Sequence, residues 1–122
     1  MTAAASLYVG GLITTTPGGS RVVGPINITS AAANGQVLEV VLAAGSNTIT
    51  VPPTPATSGC IITLPATNTS VVTLKGVGGD TGIAIGKTTT TVLNWDSTAA
   101  PASFVLSSVS TQTGLATEIL FI

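Results

Sequence analysis

The side chains able to do chemistry in this chain are few, and their types narrow what it could be. The acids are Glu39, Asp80, Asp96 and Glu118; the bases are Arg21, Lys75 and Lys87; there is one thiol, Cys60, and no histidine. The most suggestive triplet is Asp80-Thr81-Gly82. It is the aspartic-protease motif, in which two copies bring paired carboxylates together to share one proton. That chemistry needs apolar residues directly before the acid, on a strand leading into the site. Here Gly78-Gly79 precede it, and no apolar-apolar-Gly segment follows at a suitable distance. A glycine-rich turn, with Asp80 accepting local backbone hydrogen bonds, is the simpler expectation. Residues 81–88 (TGIAIGKT) mimic a phosphate-binding loop, but Thr81 stands where the motif requires its first Gly. Residues 88–91 (TTTT) also promise no helix whose N-terminus could face a phosphate. Residues 76–79 lack the glycine spacing and the βαβ setting of a dinucleotide site.

Other chemistries fare no better. The four acids, helped by loop carbonyls, are the only candidates for holding a metal, and a calcium site near Asp80 or Asp96 is the form it would take. Nothing in their spacing favours that site, or the paired carboxylates of glycoside hydrolysis. Trp95, between Asn94 and Asp96, could offer a small sugar platform; a core tryptophan is the plainer expectation. Cys60 adjoins Ile61 and Ile62, which predicts a buried apolar thiol. A catalytic thiol needs a base such as the missing histidine. A single cysteine excludes an intrachain disulfide and fits a reducing cytosol or indifference to redox. Asn27-Ile28-Thr29 and Asn68-Thr69-Ser70 match the glycosylation acceptor but carry no weight without a secretory leader, and residues 1–7 do not resemble one. The sequence therefore predicts no catalytic, cofactor-binding or metal-binding residues, and no enzyme.

Composition points the same way. Charged residues make up 6% of 122, the net charge is −1 and the mean hydropathy is +0.66. An ordinary soluble domain carries about 25% charged residues. Much of this surface must then be Thr, Ser, Asn, Gly and apolar groups, which suits burial against other subunits. Three scattered cations cannot neutralise a row of phosphates, and aromatic residues for base stacking are nearly absent, so nucleic acid is not an expected partner. The longest apolar run, residues 37–44, is interrupted by Glu39. A spanning helix needs roughly 20 apolar residues, so no membrane partner is expected.

The elements that would carry these residues read as strands. Thr, Val, Ile, Gly and Pro dominate over helix formers, and residues 31–33 are ended by the turn pair Asn34-Gly35. Ten short β-runs emerge: residues 7–14, 22–29, 36–42, 48–51, 60–64, 70–75, 82–85, 91–95, 103–106 and 117–122. Turn residues separate them, including Gly45-Ser46-Asn47 and the loops 52–59, 65–69, 76–80 and 96–101. Val72 and Leu74 alternate with Thr73 and Lys75, Ile83 and Ile85 with Ala84 and Gly86, and Phe104 and Leu106 with Ser103, Val105 and Ser107. A period of two with one apolar face predicts an all-β fold, a single antiparallel β-sandwich or jelly-roll-like domain of about 8–10 strands. Residues 1–34 are richer in Gly, Ala, Ser and Thr, and form either an extended N-terminal arm or edge strands; residues 35–122 form the sandwich. An arm of this kind could add a strand to a neighbouring subunit.

Residues 58–64 (SGCIITL), 71–93 (VVTLKGVGGDTGIAIGKTTTTVL) and the ending 117–122 together resemble segments of small structural proteins of tailed bacteriophages. The likeness covers about the C-terminal half. It implies a β-sandwich bound to the virion, a capsid cement (decoration) protein on the outer surface of the head. Such proteins assemble in the host cytoplasm, often as trimers, with the major capsid protein as partner. It implies no catalytic or cofactor residues. A tail or neck component, or a sugar-binding host-attachment module, is the alternative that the same fold allows.

Overall fold

The computed structural model describes residues 6–15, 19–29, 36–53, 57–114 and 116–122. Ten strands follow in order: β1 (Ser6–Thr15), β2 (Gly19–Thr29), β3 (Gln36–Val40), β4 (Gly45–Thr50), β5 (Gly59–Thr63), β6 (Val72–Lys75), β7 (Ile83–Ile85), β8 (Thr90–Asn94), β9 (Ser103–Ser108) and β10 (Thr117–Phe121). Each overlaps one of the ten β-runs in the sequence. One 3-10 turn, Ser97–Ala99, is capped by Asp96.

The sandwich consists of two four-stranded antiparallel sheets, β3-β10-β5-β8 and β4-β9-β6-β7. The pairing is nested: the first of these eight strands pairs with the last, the second with the seventh, the third with the sixth, and the fourth with the fifth. That is jelly-roll connectivity, in which one long ribbon of paired strands folds over itself to make two sheets. The chain crosses between the sheets at nearly every loop; only β6 and β7 are joined as a hairpin within one sheet.

Alternation explains the core. Cys60, Ile62, Ile119 and Phe121 from the first sheet meet Ile49, Val72, Phe104 and Leu106 from the second, closed by Leu42, Val51 and Leu64. Strand residues between them face outward, as a two-residue period requires. Ile83 departs from the expectation of a buried face. It pairs with Leu74 on the inward side, yet β7 is a three-residue edge strand, and Ile83 is 71% exposed where the sheets part.

A second correction concerns Gly45-Ser46-Asn47, predicted as a turn and found as the start of β4. Gly45 takes φ of +95°, a left-handed conformation that glycine tolerates, so the bend is confined to this residue. Asn47 then locks the corner, donating from Nδ2 to the carbonyls of Ala43, Gly45 and Leu106 while Oδ1 accepts from Ala43 N.

The N-terminal strands form a separate two-stranded sheet, sharing no ladder with the sandwich. Between Val9↔Ile26 and Gly11↔Val23 the register slips by one residue, a β-bulge at Gly24-Pro25. A proline fits there because a bulge does not demand its missing N–H. The predicted turn at Asn34-Gly35 lies outside the described residues.

Candidate functional site

The residues singled out for chemistry end up dispersed. Asp80 closes the turn between β6 and β7: its carboxylate accepts from Val77 N at 2.9 Å, and its own N–H donates to Val77 O at 3.1 Å. Residues 81–88 run as strand β7 followed by a bend into β8, with no helix after Lys87. Asp96 accepts from both the backbone N–H and the hydroxyl of Thr98, bonds that hold its carboxyl below the ordinary carboxylate range. Among the described residues, no three of His, Cys, Asp and Glu come together in a metal-binding group. Asn68, one of the two glycosylation-type asparagines, is occupied, donating to Ser70 O in its own loop and to Lys87 O in the connection from β7 to β8.

Cys60 is fully buried on β5, and burial pushes its thiol from 9.0 up to about 12. The unfolded chain ionises this thiol above pH 9 whereas the native state does not, so alkaline pH favours unfolding. Stability is full below pH 9 and falls as pH rises toward 12. The expected loss at pH 10.5 is about 2 kcal/mol, checked by urea midpoints at pH 8 and 10.5. Cys60→Val should remove that slope, and the native thiol should resist thiol reagents at pH 8.

Trp95 follows β8 and is half-buried. Its indole Nε1 donates to Thr57 O at 2.9 Å, and its backbone N–H to Ser58 O at 2.8 Å, so the ring is fixed. It lines a groove of about 400 Å³ with Leu74, Ile83, Leu93, Pro101 and Phe104, where edge strands β7 and β8 part. The lining is chiefly apolar, with Lys75, Asp80 and Ser103 as its polar members.

What the topology does bring together lies on the outer faces. On the first sheet, Val37, Leu120, Ile61 and Val92 stand in register across all four strands. Val37 at the edge is 59% exposed. The next row is Glu39, Glu118, Thr63 and Thr90, all exposed. Two of the four acids in the whole chain are thus directly opposed on neighbouring strands. Directly opposed like charges destabilise a sheet by roughly 0.2–1 kcal/mol. In a chain this poor in charge, such a pair is a feature of the surface rather than of the core. The outer face of the second sheet is different: the hydroxyls of Ser46, Thr48 and Thr50 of β4, Ser103 and Ser107 of β9, and Thr73 of β6 dominate it, with Val105 and Lys75 in the row of Thr48.

Comparison with known proteins identifies no relative. No family model, no curated protein and no solved structure matches this chain. Its function must be read from its own surfaces. Sequence reasoning missed the apolar row and the acid pair because each is assembled from strands far apart in the chain. Their one local trace is the apolar–acid alternation Val37-Leu38-Glu39 and Thr117-Glu118-Ile119-Leu120.

Proposed function

We propose that this protein is a virion structural protein, a capsid cement or decoration protein that binds the outside of a phage head and stabilises the shell. The observation that carries this reading is a jelly-roll sandwich whose two outer faces are one apolar-and-acidic and one hydroxyl-bearing, with almost no ionic groups between them. A protein that spends its life solvated keeps charge on such faces; one that works by contact does not need it. Burying few ions lowers the desolvation cost of an interface. Apolar burial supplies about 25 cal/mol per Å², offset by the cost of association. Modest affinity per copy suffices when many copies act on one closed shell. The likeness of residues 58–64, 71–93 and 117–122 to small phage structural proteins supports the same reading, with the major capsid protein as partner and a trimer as the assembled form. Jelly rolls also occur in lectins, so fold alone does not choose between these functions.

The test uses purified heads lacking this protein. Added back, it should co-sediment with them and raise the temperature at which they lose their DNA. Failure to co-sediment would overturn the reading. The fixed Trp95 ring favours a second function, host attachment through the β7–β8 groove as part of a tail or neck. Binding on a glycan array that disappears in Trp95→Ala would establish that one instead.

A further inference from the structure

The two open sheets of the sandwich end in the edge strands β3 and β8 on the first and β4 and β7 on the second. An edge carries a row of unpaired backbone N–H and C=O groups, and soluble proteins guard such rows with charges, prolines, bends or very short strands. Guards are visible on β3, which carries Glu39, and on β4, which starts at the left-handed bend of Gly45 and runs into Pro52-Pro53. β7 is only three residues long. β8 (TTVLN) has no charge and no proline, and its register is unbroken. Its phase in the ladder follows from Trp95, whose N–H donates to the carbonyl of Ser58, the residue opposite when the β5–β8 register is continued. Alternate residues of an antiparallel strand point their backbone groups the same way. Thr91 and Leu93 therefore bond to β5, while Thr90, Val92 and Asn94 aim theirs at the open edge.

We infer that β8 pairs antiparallel with β8 of a second copy about a two-fold axis at Val92, joining the β3-β10-β5-β8 sheets of the two copies into one. The outward backbone groups of Val92 then bond to those of Val92 in the second copy, and those of Thr90 to those of Asn94. Side chains agree with that register. Val92 ends the outer row Val37, Leu120, Ile61 and Val92, so the apolar row runs on without a break into the second copy. Charge selects a copy of the same chain over any other strand. β8 is bracketed by Lys87 on its N-terminal side and Asp96 on its C-terminal side, both exposed. Antiparallel pairing about Val92 sets the Lys87 end of each copy beside the Asp96 end of the other, so opposite charges meet at both ends of the contact. Asp96 meets Thr98 through Oδ1 alone, which leaves its second oxygen for a lysine. The apolar groove of Leu74, Ile83, Leu93 and Trp95 opens along the same edge, and Ile83 there is 71% exposed. Pairing at β8 brings the two grooves together, so each copy covers apolar surface on the other. The contact stands apart from the cement reading, whose trimer would use other surfaces.

The experiment is sedimentation equilibrium of the full chain over a wide concentration range, with circular dichroism as the check on folding. The parent should form a dimer, or a hexamer where trimers of the cement reading are joined through β8. Val92→Pro removes an N–H that β5 does not use, a change an edge strand tolerates, and should abolish the pairing in a folded chain. Lys87→Glu and Asp96→Lys each place like charges together at both ends and should raise the dissociation constant about tenfold. A 1:1 mixture of these two variants, or the double variant, should return toward the parent, because opposite charges then meet again. A role confined to one chain would give no recovery in the mixture. A monomeric parent would overturn the inference, as would a folded Val92→Pro that still pairs or a mixture no tighter than its components. Should Val92→Pro fail to fold, the mixture alone decides. A parent that is only trimeric would overturn the β8 pairing and leave the cement reading standing.

Discussion

Replacing Gly59 by alanine is expected to cost about 3 kcal/mol or more. Gly59 opens β5 where three backbones converge. Its N–H donates to Ile122 O at 3.1 Å, its carbonyl accepts from Ile122 N at 3.0 Å, and it pairs with Asn94 of β8. A Cβ at this position would overlap Leu93 O and approach Asn94 Cα to 3.0 Å. Backbone cannot rotate away as a side chain tip can, so β8 must lift from β5 and surrender ladder bonds. Substitutions with effects above about 4 kcal/mol arise from a short list of causes, and overpacking against main chain is among them. Thermal unfolding followed by fluorescence reads the result directly. Trp95, tied to Thr57 O and Ser58 O beside this point, should shift to the red even below the transition. A midpoint within a few degrees of the parent would show that β8 is not held as described.

The second large effect is expected from Gln112→Ala, a loss of about 2–5 kcal/mol. Gln112 lies in the connection from β9 to β10 and is 7% exposed. Its Oε1 accepts from Leu42 N at 3.1 Å and from the Thr117 hydroxyl at 3.0 Å, while its backbone N–H donates to Leu42 O at 2.8 Å. Leu42 and Thr117 are both fully buried. Truncation therefore leaves a buried amide and a buried hydroxyl with no acceptor, at about 1–3 kcal/mol each, and removes the buried, unpartnered Nε2, which offsets part of that cost. The bond also fastens two crossings between the sheets, from β3 to β4 and from β9 to β10, at one end of the sandwich. Urea denaturation should show a lower midpoint at an unchanged slope. Adding Thr117→Val should recover part of the loss, since it removes one of the stranded donors. A change under 1 kcal/mol in the single variant would mean that solvent reaches Leu42 N.

These two residues also mark what a sequence does and does not reveal here. Strand positions were legible because alternation is local: Val72 and Leu74 against Thr73 and Lys75 declare a face without reference to any partner. The class of fold followed from their number and spacing. The nested pairing order did not, since the match of Gln36–Val40 with Thr117–Phe121 depends on contacts across most of the chain. Gly59 looked like one loop glycine among many, and only the approach of Leu93 O makes it irreplaceable. Nothing in the local sequence marks Gln112, whose amide is buried to serve Leu42. Ile83 was misread for the opposite reason. Its alternation is correct, but a three-residue strand at the parting of the sheets cannot bury what it turns inward. The acid pair belongs to the same class of long-range facts.

The measurement that bears most directly on the proposed cement role is the copy number of this chain in purified particles of a phage that carries its gene, by quantitative mass spectrometry. A cement protein should be present in hundreds of copies, in fixed ratio to the major shell protein. A few to some tens of copies would contradict the cement role and assign the chain to the tail or neck. None at all would contradict a place in the virion.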